Sequence, residues 1–300
     1  MISIASLATQ QGELFLLMLA GLIFRKRLVG NNAKKDLTTI VLNLILPCNI
    51  IASFMTEFDP LLFRQSFSIL LISFVNQFFC LVLAKVLYRN RLPEKQAVMR
   101  YGTLCPNSGF LGTPIAEGIW GSEGILLTSV FLIPQRIFMW TAGVSFFKKT
   151  KFKWKTIISN PCIDAVVIGM LLFTFQLPLP DFLEHAICSF GKCNTGMSMF
   201  LIGMIIAEAN RKELFNRDIF VLSFIRLVLI PAIVLFGCSL MRVDPLCSGV
   251  SAILSAMPVA GTTAVLASKY GGDAPFAACS IAVSTLLSML AIPLWGLLLK

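Results

Sequence analysis

Apolar stretches of about 20 residues recur along the whole chain and constrain its fold more than any other feature. A helix needs about 20 mostly apolar residues to cross the hydrocarbon core of a bilayer. Glycines, prolines and charge clusters separate ten such stretches, at about 6–28, 36–57, 65–89, 96–119, 124–147, 156–177, 182–208, 217–241, 248–270 and 275–298. The chain is 57% hydrophobic and 13% charged, whereas soluble domains average roughly 45–50% and 25%. We therefore expect an all-α polytopic membrane protein with ten transmembrane helices.

The net charge of +10 is explained by where the basic residues fall. Of the 25 Lys and Arg residues, 18 lie in the odd-numbered connections between the predicted helices, and four lie in the even-numbered connections and the termini. Cytoplasmic loops carry an excess of Lys and Arg, so the pattern predicts a multi-pass cell-membrane protein with both termini outside the cytoplasm. No basic cluster lies on a soluble module, so the charge indicates no nucleic-acid partner.

The fourth and ninth predicted helices are interrupted by the same pattern. Pro106–Gly109 and Pro258–Gly261 both read Pro-x-x-Gly near mid-span, 152 positions apart. Proline removes a backbone donor and glycine permits unwinding, so both helices are expected to break there. Five helices in each half place the halves in opposite orientations, which predicts two inverted five-helix repeats at 1–150 and 151–300. A plain proline kink is the alternative for each helix.

Unwound backbone at mid-membrane persists where it is buried in protein or lines a watery cavity. The second half-helices are expected to begin near Asn107–Ser108 and near Thr262. Two such N-terminal ends facing each other create a partial positive field suited to an anion. The predicted substrate-binding residues at this place are Pro106, Asn107, Ser108, Gly109, Pro258, Gly261, Thr262 and Thr263.

Arg136, Arg226 and Asp164 are ionisable residues inside predicted spans, where a charge costs at least a few kcal/mol. Arg136 lies about midway through the fifth span, and Arg226 lies about ten residues into the eighth. Either can hold a substrate carboxylate bidentately. The alternatives are that each pairs with an acid or with backbone carbonyls, or extends to an interface. Asp164, near the start of the sixth span, is a protonatable group for ion coupling or an interfacial cap.

Short motifs follow one another along essentially the full chain in an order that resembles a known family. They are Val41–Pro47, Gly109–Gly112, Asn160-Pro161, Leu177–Pro180 and Met257–Asp273. Their order and spacing are similar to those of the auxin efflux carrier family and, more distantly, of the bile acid sodium symporters. The short connection at about 148–156 is similar to that of the bacterial branch of the family.

This resemblance implies a carrier in which the broken helices four and nine cross. It implies a scaffold of helices 1, 2, 6 and 7, a moving transport unit of helices 3–5 and 8–10, a homodimer, and no cofactor. The implied substrate is a small organic anion, such as a dicarboxylate or an auxin-like acid. Asn43 and Asn49 are expected to line the scaffold side of its path. Asn76 and Gln77 lie near the centre of the third span. In the sodium-coupled relatives, amide and hydroxyl oxygens near the crossing bind Na⁺, so both residues are candidates for ion coupling, and interhelical hydrogen bonding is their alternative role.

The predicted function is a secondary transporter that moves this anion by alternating access, with Na⁺ or H⁺ as the coupling ion where coupling exists. The alternative is a membrane sensor or channel that binds a ligand without active carriage. An enzyme is not expected, because the chain has a single histidine, His185, and no carboxylate pair at helical spacing inside a span.

Overall fold

The computed structural model describes residues 4–27, 31–55, 59–147, 161–207 and 214–299. Within these ranges the chain is helical and contains no strand. The α-helices are α1 (Ile4–Arg27), α2 (Asn31–Ile40), α3 (Leu46–Phe54), α4 (Pro60–Leu87), α5 (Pro93–Leu104), α6 (Thr113–Phe138), α7 (Pro161–Phe175), α8 (Asp181–Lys192), α9 (Asn194–Ile206), α10 (Arg217–Phe224), α11 (Ile230–Leu240), α12 (Pro245–Ser255), α13 (Thr262–Tyr270) and α14 (Ala274–Leu298). The predicted start of the sixth span and the loop lysines at 148–155 lie outside the described residues.

Four π-helical turns interrupt the regular α-helical geometry in these ranges. They are Val41–Ile45 between α2 and α3, Ser108–Gly112 before α6, Met139–Gly143 after α6, and Ile225–Leu229 between α10 and α11. A π-turn adds one residue to a helical turn and so rotates the side chains that follow it.

Several helix starts are specified by their local sequence. Asp59 accepts a hydrogen bond from the backbone N–H of Leu61 at 2.8 Å, and Asp244 and Asp273 cap α12 and α14 in the same way. A proline occupies the first or second position of all three helices. Aspartate satisfies an N–H that has no partner inside the helix, and proline needs no such partner, so each pair sets the start of its helix.

Five helical segments are long and apolar enough to cross a membrane. They are Lys35–Phe54, Pro60–Leu87, Ser108–Gly143, Arg217–Leu240 and Ala274–Leu298. Shorter apolar helices occupy 164–175 and 245–255. The chain is therefore an all-helical membrane protein, and the count of ten spans stays a prediction.

The predicted fourth and fifth spans meet in one helical run, Ser108–Gly143. The run is divided at Gly121, whose φ of 61° and ψ of −141° are not helical. Such a backbone conformation is open to glycine because it lacks a Cβ atom. The boundary expected between the two spans is thus a change of direction at Gly121 and not a loop.

We divide the helices into two groups by their most extensive contacts. In one group, α1 packs along α9, and α3 packs on α7 and α8; in the other, α4 packs on α5 and α6, α11 on α12, and α10 and α13 on α14. The contact between α1 and α9 is close, since a Cβ atom on Gly203 would collide with the backbone carbonyl of Met18. Further contacts, such as those of α3 with α6, join the two groups.

Candidate functional site

Two helix interruptions lie side by side at the centre of the second group. The first interruption, residues 105–107, separates α5 from the π-turn that begins at Ser108, and the second, residues 256–261, separates α12 from α13. The backbone N–H of Asn107 donates to the carbonyl oxygen of Pro258 at 2.7 Å, and that of Ala260 donates to Cys105 at 3.1 Å. The two breaks therefore satisfy each other's backbone groups inside the protein, as unwound backbone at membrane depth requires.

Side chains from the neighbouring helices form hydrogen bonds with further backbone groups of the breaks. Gln135 Nε2 donates to the carbonyl oxygen of Pro106 at 2.8 Å, and Ser284 Oγ accepts from the backbone N–H of Val259 at 3.1 Å. Gln135 was not among the residues predicted from the sequence. Its position beside Arg136 within an apolar span was the signal that could have found it.

Asn107 differs in one respect from its expected role as a capping residue. It precedes the helical run at Ser108, but its side chain makes no capping hydrogen bond. Its backbone carbonyl accepts from the N–H of Leu111 at 3.0 Å, while its Nδ2 is buried and has no hydrogen-bond partner in the described part of the chain. The hydroxyl of Ser108 does not cap the helix either; it donates to the carbonyl oxygen of Leu254 at 2.8 Å.

A cavity of about 70 Å³ lies at the N-terminal ends of the two second half-helices. Six of the predicted substrate-binding residues line it: Pro106, Asn107, Gly109, Arg136, Gly261 and Thr262. The other lining residues are Leu42, Leu46, Phe110, Leu132, Gln135, Met139 and Ala260. The breaks therefore bring together residues from the second, fourth, fifth and ninth predicted spans.

Arg136 provides the positive charge at this cavity. Its side chain is 7% exposed, and its Nη1 lacks a hydrogen-bond partner among the described residues. Together with Asn107 Nδ2, this gives the surroundings of the cavity two N–H donor groups that bond no acceptor among the described residues. Guanidinium and amide donors of this kind suit an oxygen anion.

Thr262, Pro258 and Thr263, the other residues predicted in the ninth span, have different contacts. Thr262 lines the cavity and shares a hydrogen bond of 3.0 Å with the hydroxyl of Tyr101. Pro258 and Thr263 do not line it: Pro258 accepts the backbone hydrogen bond from Asn107, and Thr263 is fully buried.

Arg226 does not line the cavity. Its side chain is fully buried, and its guanidinium donates to three backbone carbonyls at the C-terminal sides of α5 and α12. Both arginines were predicted as candidate counter-charges for the substrate, but only Arg136 lines the cavity.

The two asparagines of the second span do not line the cavity either. Asn43 is exposed, and its Nδ2 donates to the carbonyl oxygen of Thr39 at 2.8 Å within the same helical segment. Asn49 is buried and donates to Gly191 of α8 at 3.3 Å. From this span, Leu42 and Leu46 face the cavity instead. Nothing in these two residue types distinguishes them from other apolar residues of a membrane helix.

The residues predicted for ion coupling occupy three different environments. Asn76 donates from Nδ2 to the hydroxyl of Ser255 at 3.2 Å. Gln77 is fully buried, and neither atom of its amide has a hydrogen-bond partner within the described ranges. Asp164 is exposed near the start of α7. The structure does not gather the three residues into one site, and the described ranges hold no cluster of three or more His, Cys, Asp or Glu residues suited to a metal.

Each of the four π-turns contributes a residue to the breaks or to the cavity. Leu42, Gly109 and Met139 line the cavity, and Arg226 contacts the helix ends. π-Turns occur frequently at functional sites, because the extra residue turns side chains away from regular helix packing.

The chain matches the family model described as membrane transport protein over residues 8–152 and 145–296. It is 25% identical over 277 residues to an uncharacterized transporter of Methanocaldococcus jannaschii, which covers 88% of this chain and 89% of that protein. It is 22% identical over 285 residues to the uncharacterized transporter YfdV of Escherichia coli strain K12, which covers 90% of each. With this coverage, the chain belongs to the membrane transport protein family, which is the auxin efflux carrier family that its motifs resemble.

Proposed function

We propose that this protein is a secondary transporter that carries a small organic anion across the cell membrane by alternating access, with the anion bound in the cavity beside the two breaks. One observation carries the proposal. The N-terminal ends of both second half-helices and the Arg136 side chain meet at the same cavity.

The electrostatics of this cavity favour an anion over a neutral ligand. A helix N-terminus carries the equivalent of about half a positive charge, and the guanidinium of Arg136 adds a full one. Leu42, Leu46 and Leu132 on the same lining lower the local dielectric and so strengthen the attraction. They also offer contact to an organic body. A dicarboxylate or an auxin-like acid combines the charge and the apolar surface that this lining complements.

Alternating access requires two bodies that move against each other around the bound substrate. Helices of the first packing group, drawn from the first, second, sixth and seventh predicted spans, form the proposed scaffold, and the second group forms the proposed transport unit. Leu42 and Leu46 reach the cavity from the first group, and the other lining residues belong to the second. A cavity that both groups line is the arrangement in which relative movement exposes the substrate to one side at a time.

The proposal includes the finer architecture expected from the sequence. The helices broken at 105–107 and 256–261 cross within two inverted five-helix repeats, both termini lie outside the cytoplasm, and two copies of the chain associate through the scaffold. The two Pro-x-x-Gly motifs lie at matching places in the two halves of the chain, 152 positions apart. This placement and the hydrogen bonds between the breaks support the crossing of the broken helices within two repeats.

Substrate counterflow tests the proposal. Proteoliposomes loaded with unlabelled malate, malonate or indole acetate are expected to accumulate the matching labelled acid transiently, with a rate that saturates as its outside concentration rises. Protein-containing liposomes without internal substrate are the control. Flux that rises linearly without saturation indicates a channel, and saturable binding without flux indicates a sensor; either result contradicts the carrier.

A further inference from the structure

Arg226 joins the two broken helices on the side away from their N-terminal ends. Its Nη1 donates to the carbonyl oxygen of Thr103 at 2.8 Å and its Nη2 to that of Ser255 at 2.7 Å. Its Nε donates to the carbonyl oxygen of Met257 at 3.4 Å. Thr103 and Ser255 are separated by the same 152 positions as Pro106 and Pro258, so the guanidinium bonds equivalent residues at the ends of α5 and α12.

The place that this guanidinium occupies is electrostatically negative. The last carbonyls of a helix have no partner within it, and each C-terminal end carries the equivalent of about half a negative charge. Two such ends meet at Arg226, and they sum to about one negative charge. In the described part of the chain, no carboxylate forms an ion pair with Arg226. The helix ends are therefore its counter-charge.

Transporters with broken helices commonly bind a metal cation at such a place, where half-helix C-terminal ends and unwound carbonyls provide the ligands. In this protein the guanidinium of Arg226 occupies the place between the two helix ends. The nearby oxygen of Asn76 is also in use, because its Oδ1 accepts a hydrogen bond from Cys80 Sγ at 3.6 Å while its Nδ2 bonds the Ser255 hydroxyl. A Na⁺ ion bound among these groups would face a positive charge at close range.

We propose that Arg226 is a built-in cation that takes the place of a bound metal cation between the two helix ends. The breaks then keep their geometry without Na⁺, and Arg226 acts as a positioning residue for the half-helices and not as a ligand of the substrate. The fixed charge stays in place through the transport cycle, so substrate movement is independent of Na⁺. This last consequence rests on the proposed function, whereas the structural role of the guanidinium does not.

Thermal unfolding of the purified protein tests the structural role. The wild-type midpoint is expected to be the same in sodium chloride and in choline chloride at equal ionic strength. Arg226→Ala removes the cation and should lower the midpoint, and millimolar guanidinium chloride or sodium chloride should raise the midpoint of this variant by about 2–4 °C. Arg64→Ala, which removes an exposed arginine of α4, is the matched control and should show no such rise.

Two results overturn the inference. One is a wild-type midpoint that rises specifically with Na⁺. The other is a folded Arg226→Ala protein that neither guanidinium nor Na⁺ stabilises. If Arg226→Ala yields no folded protein, Arg226→Lys provides the comparison: it retains the charge, so it should fold with a lower midpoint that Na⁺ does not change. A Na⁺-dependent midpoint for Arg226→Lys contradicts the built-in cation.

Transport provides a separate readout. Replacing Na⁺ by choline on both sides of the proteoliposome membrane should leave the wild-type counterflow rate unchanged, and a loss of about tenfold or more, equivalent to about 1.4 kcal/mol, contradicts Na⁺ independence. Absence of saturable counterflow in either salt contradicts the carrier function instead, and the unfolding results then still decide the role of Arg226.

Discussion

Arg136 and Arg226 show how two similar residues of a membrane protein acquire different roles from their surroundings. Both are buried arginines within helical segments, and burial of an unpaired charge is unfavourable at membrane depth. Arg226 places its donors on three carbonyl oxygens, whereas Arg136 keeps Nη1 without a partner in the described ranges. The first arrangement stabilises the protein by itself, and in the proposed function an anionic ligand completes the second.

Substitution of Arg136 by glutamine tests its role as the counter-charge of the substrate. Arg136→Gln removes the positive charge and retains an amide donor, so the half-saturation concentration for a dicarboxylate should rise by about 10- to 100-fold, the effect of losing a charged hydrogen bond. A neutral analogue should be affected much less. Competition of both compounds against a labelled substrate in proteoliposomes measures the difference.

Arg64→Gln is the control, since Arg64 is exposed near the start of α4 and its loss changes the net charge equally. Equal losses of affinity for the charged and the neutral compound in Arg136→Gln would mean that Arg136 maintains the structure and does not bind the anion.

At the scale of the elements, the two breaks depend on each other. Neither break has a full set of backbone partners within its own helix, and the hydrogen bonds between Asn107 and Pro258 and between Ala260 and Cys105 supply part of what is missing. Gln135 and Ser284 supply more. The breaks are consequently a paired structure and not two separate kinks.

Replacement of the prolines in the breaks should reduce the transport rate without preventing folding. Alanine restores a backbone N–H at Pro106 or Pro258 and favours continuation of the helix through the break. We expect each variant to reach the membrane at near wild-type level and to lose about tenfold in transport rate per protein, which corresponds to about 1.4 kcal/mol. Counterflow normalised to the amount of reconstituted protein measures this loss.

The matched control is Pro293→Ala, because Pro293 lies inside the uninterrupted helix α14. This variant should transport at a rate close to that of the wild type. Unchanged counterflow in both Pro106→Ala and Pro258→Ala would contradict a functional role for the breaks.

In the whole molecule, residues from both groups of helices line the cavity. The contact of α1 with α9 relies on close backbone approach at Gly203, and the contacts around the breaks rely on hydrogen bonds to freed backbone groups. Close backbone packing between small residues is a main source of helix association in a bilayer, where the hydrophobic effect does not drive helices together.

The charge pattern predicts how the whole molecule is oriented in the membrane. Since 18 of the 25 basic residues lie in the odd-numbered connections, these connections should remain in the cytoplasm. Alkaline phosphatase, which is active outside the cytoplasm, should be active when fused to the C-terminus and inactive when fused after Arg91, in the connection between α4 and α5. A green fluorescent protein fused at the same two places is the control and should give the opposite pattern. An active phosphatase after Arg91 with an inactive one at the C-terminus would reverse the proposed orientation.

Features that depend on local chemistry could be predicted from the amino-acid sequence. Apolar content and charge placement indicated a helical membrane protein, and the Pro-x-x-Gly motifs mark the places where the helices are interrupted, because proline and glycine act on their own backbone. Which side chains meet depends on the packing of the helices. The fold places Arg136 at the cavity and Arg226 at the helix ends, adds Leu42 and Gln135 to the cavity lining, and keeps Asn43 and Asn49 away from it. The physical reason is that the rotation of each helix, here altered by four π-turns, is set by packing against distant segments and is not encoded in the spacing of polar residues along the chain.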